Sequence, residues 1–248
     1  MDRLIHTSLS ALKAAMARQA VTANNLANAN TTGFRAEMSS AQALYLKGPS
    51  APDRVVASEE VLAADMRGGT VAQTGNPLDV ALAGDALLAV QAGDGAEAYT
   101  RRGDLQVGAS GLLTTGDGHP VLGEGGGPIT LPAYDSLRID DDGALWIVPA
   151  GGDAAAPQQL DRLKLVGPQG AALVKRLDGL FADRNGAVLP ADPEARLTAG
   201  ALEGSNVDAT SALVSMIDAQ RSWDTQVKLL TTARDLDQAT ANLMHLPD

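Results

Sequence analysis

The apolar residues of this chain keep a helical spacing at both ends and a strand spacing in the middle. In the first segment Ile5, Leu9, Leu12, Met16, Gln19, Ala23 and Leu26 follow one another at alternating intervals of four and three. That interval lines one face of a helix, and Gln19 is its only polar member. Ala11, Ala14, Ala15, Ala17 and Ala20 fill the space between with strong helix formers. A helix is predicted over 2–28, about 40 Å long, ending near Asn28–Gly33, where Asn and Gly offer left-handed stopping points. The period returns after Gly204. Ser205, Asn206, Val207 and Asp208 precede it with capping side chains. Leu213, Met216, Gln220, Trp223, Val227 and Leu230 then form a seam, which shifts by one residue to Leu229, Ala233, Leu236, Thr240 and Leu243. A shifted seam rotates the apolar face, so one helix meets different neighbours at its two ends.

Between these ends the period is two. Leu78-x-Val80-x-Leu82, Leu105-x-Val107, Leu137-x-Ile139, Leu145-x-Ile147 and Leu163-x-Leu165 alternate. Turn signals separate them: Asn76-Pro77, Gly84-Asp85, Asp117-Gly118, Asp142-Gly143 and Asn185-Gly186. The expected class is α+β, with long, coiled-coil-like amphipathic N- and C-terminal helices flanking a central all-β domain of short antiparallel strands. The expected divisions are an N-terminal helix in 1–35, a linking extended segment in 36–70 broken at Lys47-Gly-Pro-Ser-Ala-Pro-Asp, a β domain in 71–204 and a C-terminal helix in 205–248.

Apolar residues make up 45% of the chain and aromatics only 3%, so the core must be aliphatic. The net charge of −11 disfavours nucleic acid and anionic membrane surfaces as partners. Charge is unevenly placed: residues 1–47 carry a net +3 and residues 207–248 a net −3, which favours pairing the two ends. Without cysteine there is no disulfide, thiolate metal site or Cys nucleophile. No apolar run approaches the roughly 20 residues of a membrane span, and polar residues interrupt Met1–Ala20 too often for a secretory signal.

No constellation in the chain points to catalysis. Asp140-Asp141-Asp142-Gly143 lacks the ligand spacing of a calcium loop, and Gly125-Gly126-Gly127-Pro128 lacks the Lys-Ser/Thr of a phosphate loop. His6, His119 and His245 are far apart. A glycoside hydrolase needs two close carboxylates, one with a raised pKa, whereas the acids here sit mostly in solvated glycine turns. No cofactor, metal or catalytic residue is therefore expected. A binding module built on the β domain is a third class, and it predicts ends already rigid in the isolated molecule. The two amphipathic ends instead predict a chain that completes its packing against neighbours.

An ordered set of motifs runs through nearly the whole chain: Ala23-Asn-Asn-Leu-Ala-Asn-Ala-Asn-Thr-Thr-Gly-Phe-Arg35, Val71-Ala-Gln-Thr-Gly-Asn-Pro-Leu-Asp-Val-Ala-Leu82, Tyr99-Thr-Arg101, Gly118-His-Pro-Val-Leu-Gly123, Leu177-Asp-Gly-Leu-Phe181, Leu202-Glu-Gly-Ser-Asn-Val207 and Ser215-Met-Ile-Asp-Ala-Gln-Arg221. In that order they resemble the flagellar rod and hook proteins. The opening Met1-Asp-Arg-Leu-Ile5 and the Gly118–Gly123 turn are most similar to the proximal rod members, with distal rod and hook members as alternatives. The resemblance implies a structural subunit of the basal-body rod, stacked helically with other rod subunits in a hetero-oligomer. It also implies terminal helices around an export channel, a β domain outside them and delivery by the flagellar type III export apparatus. The subunit-interface residues expected on this basis, and from the helix seams, are Ile5, Leu9, Leu12, Met16, Asn24, Asn25, Leu26, Asn28, Gly33, Phe34, Asn206, Leu213, Met216, Trp223, Val227, Leu230, Leu236 and Leu243.

Overall fold

A computed structural model describes residues 2–48, 51–153 and 156–244. The chain divides into two units, one of Met1–Ala27, Glu37–Leu62 and Asp208–Asp248, the other of Asn28–Ala36 and Ala63–Val207.

The first unit holds helix α1 (Asp2–Ala27), strand β1 (Glu37–Gly48), all but the last two residues of strand β2 (Ala51–Ala64), and helix α2 (Ala209–Met244). α2 starts where the capping residues predicted it would. The Asp208 carboxylate accepts from the Thr210 N–H (3.0 Å) and the Ser211 hydroxyl (2.7 Å), filling donors that a helix start leaves unpaired. α1 packs along α2 and against β1. The packed face differs from the large-residue seams read from the sequence. On α1 it buries Ala14, Ala15 and Val21, while Leu9 and Met16 are 42% and 54% exposed. On α2 the covered residues are Ala212, Met216, Ala219, Trp223, Gln226, Leu230 and Ala233, again at intervals of four and three. Met216, Trp223 and Leu230 keep their place, but Leu213 and Val227 fall on the flank. The reason is steric: alanine and serine let the helix axes approach closely, and the larger aliphatics are turned outward. Small residues also line a groove of about 340 Å³ between Ala15, Arg18 and Thr22 of α1 and Ser215, Asp218, Ala219 and Ser222 of α2.

Residues 36–70, read from the sequence as a linking segment, contain β1 and β2, which form a two-stranded sheet. Their apolar residues do not keep a single period: Ala41, Ala43 and Tyr45 lie on one alternation and Leu44 and Leu46 on the other. Period alone therefore could not identify the strands.

The second unit is built from strands β3 to β16. A five-stranded sheet runs β12 (Leu165–Val166), β5 (Leu87–Gln91), β6 (Glu97–Thr100), β14 (Phe181–Asp183), β13 (Leu173–Lys175). A three-stranded sheet joins β11 (Gln158–Arg162), β10 (Ala144–Pro149) and β9 (Tyr134–Ile139), and β7 (Leu105–Val107) pairs β8 (Leu113–Thr115). All strand pairs described in this unit are antiparallel. The run Ala86–Val90 is continuously apolar because β5 is covered on both faces. Leu88 and Val90 enter the main cluster with Val80, Leu105, Leu113, Val121, Leu145 and Leu163, while Leu87 and Ala89 enter a second one with Tyr99, Val166 and Phe181. Burying each of these leucines contributes about 1.5–3 kcal/mol. The Tyr99 hydroxyl oxygen accepts from the Leu189 N–H (2.7 Å), and burial pushes its pKa up to about 12.

The last strands return to the first. β15 (Leu197–Ala199) pairs with β4 (Val80–Leu82), and β16 (Ala201–Glu203) with β3 (Val71–Gln73), placing Glu203 opposite Val71. The entry and exit of the β unit thereby share one corner.

Candidate functional site: the corner where entry and exit of the β unit converge

Three stretches converge at this corner: Asn28–Ala36, Asp65–Thr70 and Glu203–Asn206. The first leaves the helical period through a turn. The Asn28 carbonyl accepts from the Thr31 N–H (3.1 Å), and its side-chain oxygen from the Thr31 hydroxyl (3.1 Å). Gly33 follows with φ +66° and donates its N–H to the Glu203 carbonyl at 2.7 Å. A Cβ at this position would lie 2.4 Å from the backbone carbonyl carbon and oxygen of Arg101. Both the positive φ and the close approach require glycine.

Asn206 ties the other two stretches to the first. Its side-chain oxygen accepts from the Ala36 N–H (2.8 Å). Its amide nitrogen donates to the carbonyls of Asp65 (2.8 Å) and Arg67 (2.9 Å). Its backbone N–H donates to the Phe34 carbonyl (3.3 Å), and the Asp65 N–H to that of Ala36 (2.8 Å). Lys175 closes the corner from β13. Its ammonium donates to the Arg35 carbonyl (3.1 Å) and sits 3.8 Å from the centre of the Phe34 ring, a cation–π contact.

Beneath this network lies a buried ionic triad. One oxygen of Glu203 accepts from Arg35 Nη2 (2.7 Å) and the Gly69 N–H (2.8 Å), and the other from Nε and Nη2 of Arg101. Arg101 also donates to the carbonyls of Leu82, Gly84 and Ala86 at 2.6–2.8 Å, so every nitrogen of its guanidinium is engaged. Arg35 contributes Nη2, and among the described residues its buried Nε and Nη1 have no acceptor. Burial alone would raise the pKa of the Glu203 carboxyl, but the charge and hydrogen bonds of Arg101, with those of Arg35 and Gly69, outweigh it. Glu203 is held below its ordinary value. Burial pulls Arg101 down despite the charge of Glu203. Two guanidiniums share one carboxylate, and removing that carboxylate would strand both.

The corner engages several residues expected at a subunit interface. Gly33, Phe34 and Asn206 belong to it, and Asn28 forms its turn. In the helical unit, Asn25 accepts from the Glu37 N–H (2.8 Å) and donates to its carbonyl (2.9 Å). Leu12, Leu26, Met216, Trp223 and Leu230 are half-buried, while Asn24, Leu9, Met16, Leu213, Val227 and Leu236 are exposed. The side chains of Ile5 and Leu243 lie outside the described residues. Sequence reasoning missed Arg35, Arg101, Lys175 and Glu203 as site residues. The available signal was a charged residue at or just past the end of a strand, Arg101 after Thr100 of β6 and Glu203 closing β16.

Among the described residues no group of His, Asp and Glu is arranged to hold a metal ion. No described helix is long and apolar enough to cross a membrane.

Three family models match the chain in sequence order: the flagella basal body rod protein over residues 5–35, the flagellar hook protein FlgE/F/G D1 domain over 81–147, and the flagellar basal body rod FlgEFG protein C-terminal region over 198–243. The flagellar basal-body rod protein FlgF of Salmonella typhimurium is 43% identical, covering 98% of each chain. That of Escherichia coli is 41% identical over 95% of each. The rod protein FlgG of Bacillus subtilis is 31% identical over 98% of this chain and 99% of its own.

Proposed function

From the premise that this chain belongs to the flagellar basal-body rod protein family, we propose that it polymerises helically through its terminal helices into the part of the rod that transmits torque and surrounds the export channel. The chain is a structural subunit of the basal-body rod, and the family is structural rather than enzymatic. Identity of 43% and 41% to the FlgF proteins of Salmonella typhimurium and Escherichia coli supports the proximal rod over the distal rod or hook, although other FlgF relatives, at 26–32%, lie no nearer than FlgG relatives at 31–33%. Delivery through the flagellar type III apparatus, and assembly beside other rod subunits, belong to the same reading.

One observation carries this mode of assembly. Both terminal helices turn large aliphatics to solvent: Leu9 and Met16 on α1, and Leu213, Val214, Ile217, Leu229 and Leu236 on α2 are each between 42% and 58% exposed. A helix that buries alanines and displays leucines has apolar surface left for other chains. On α2 the displayed residues form two flanks, one with Leu213 and Ile217 and the other with Leu229 and Leu236, enough for a neighbour on each side and for coiled-coil-like packing between subunits. The corner around Glu203 keeps the β unit fixed to the segments that lead to these helices.

Deleting the gene and isolating basal bodies tests this. Rods should be absent or truncated, and restored when the chain is supplied. Complete rods without the chain would refute the proposal. Rods restored by a chain whose Leu213, Ile217, Leu229 and Leu236 are all changed to Gln would refute assembly through the helices.

A further inference from the structure

Apart from Arg18, the residues of α1 described as exposed form one narrow stripe. Leu9, Lys13, Met16, Ala20, Asn24 and Ala27 follow at intervals of three and four, all exposed, and so lie along a single face. Its centre reads apolar, cation, apolar: Leu9, Lys13, Met16. One flank of α2 carries the opposite pattern. Leu213, Ile217, Gln220, Asp224 and Val227 follow at intervals of four and three, also exposed, with the aliphatics 50%, 50% and 37% exposed. This stripe reads apolar, anion, apolar. Among the described residues Lys13 and Asp224 have no ion-pair partner, although both stand beside exposed aliphatic surface.

We propose that the α2 flank of one copy, through Leu213, Ile217, Asp224 and Val227, docks on the α1 stripe Leu9–Lys13–Met16 of a second copy, with Asp224 opposite Lys13. This rests on the rod reading and adds to it which face meets which. Three features support the match. The two stripes have the same helical spacing, so their ridges can interdigitate along a shared length. Their central charges are opposite, as are the net charges of the segments that bear them, +3 over residues 1–47 and −3 over 207–248. The stripes are also different surfaces of one molecule, so the contact is heterologous: each copy that docks leaves a free stripe for the next, which is what an axial polymer needs and a closed dimer lacks. The aliphatics supply the hold. The ion pair fixes register and rejects like-charged alignments.

A charge swap in cells lacking the native gene tests the pairing. Lys13→Glu alone and Asp224→Lys alone should each lower incorporation into purified basal bodies at least tenfold. The double variant should return it to within twofold of the native chain. Because all these side chains are exposed, circular dichroism of the purified variants should match the native spectrum. The absence of cysteine allows a second measurement. Copies bearing Lys13→Cys and Asp224→Cys, expressed together, should give a disulfide-linked dimer on mild oxidation of basal bodies, and neither should do so alone. Single variants that incorporate normally, a double variant that stays defective, or single-cysteine copies that cross-link with themselves would each overturn the pairing while leaving the rod reading intact. Absence of the native chain from basal bodies would overturn both.

Discussion

The two units of this chain treat large apolar side chains in opposite ways. In the β unit Leu87, Leu88, Leu105, Leu113, Leu145 and Leu163 are at most 2% exposed, and its ionic triad is equally enclosed. In the helical unit Ala14, Ala15 and Ala212 are covered, while Leu9, Leu213, Leu229 and Leu236 face water. The β unit has finished packing within one chain. The helical unit covers Ala14, Ala15, Val21 and Ala212 and leaves several large aliphatics in water, the surface proposed above to meet neighbours. The same residue type, leucine, is thus enclosed in one unit and displayed to solvent in the other.

The strongest challenge to that contrast is Glu203→Gln. It leaves two buried guanidiniums without a counter-charge and should cost about 3–5 kcal/mol of β-unit stability, read by urea denaturation with Tyr99 and Trp146 fluorescence. A loss below about 1 kcal/mol would mean that the triad is not holding the corner.

Paired leucine truncations come next. Leu113→Ala should destabilise by about 3 kcal/mol, in the usual range for a core leucine. Leu213→Ala should change the stability of the isolated chain by no more than about 0.5 kcal/mol yet impair rod assembly. Equal losses of stability at both positions would dissolve the distinction between the units.

Gly33→Ala should cost about 2 kcal/mol, combining a positive φ with overlap on the Arg101 backbone. Gly118→Ala has a similar φ of +88° but open space around it, so it should cost about 1 kcal/mol less. The difference between the two isolates the close approach.

The smallest effects concern pH. The Tyr99 pKa is raised from 10.0 to about 12 in the folded chain, so its contribution is complete below 10 and is lost as pH rises from there towards 12. Glu203 is shifted the other way. Its contribution is present above the ordinary carboxyl value of 4.5 and is lost as pH falls below it. Tyr99→Phe should flatten the alkaline limb and cost about 1 kcal/mol through the unpaired Leu189 N–H, leaving the acid limb unchanged. An unaltered alkaline limb would assign it to another group.

Much of this was legible in residue order. The change of period located α1, α2 and the β region between them, and Asp208 marked the start of α2. The helical faces were harder to read. Periodicity weights large residues, so it put Leu9 and Met16 on a seam expected to meet other subunits and gave no sign that Ala14, Ala15 and Val21 are the residues α1 covers within the chain. β1 and β2 were hidden because their apolar residues satisfy two alternations at once. At the corner, Gly33 and Asn206 were visible as turn and capping types. Glu203, Arg101 and Arg35 were not, because their partners lie 102 and 168 positions apart along the chain, and no local pattern encodes such a pairing.

The corner has a mechanical consequence. Tension applied to the chain before Gly33 or after Asn206 arrives at one corner, through the Gly33 N–H on the Glu203 carbonyl and through Asn206 on Phe34 and Ala36, so the two tethers are fixed to one post. Load can then pass from one end of the polypeptide to the other across a few hydrogen bonds in parallel, without stretching the aliphatic interior between strands β4 and β15.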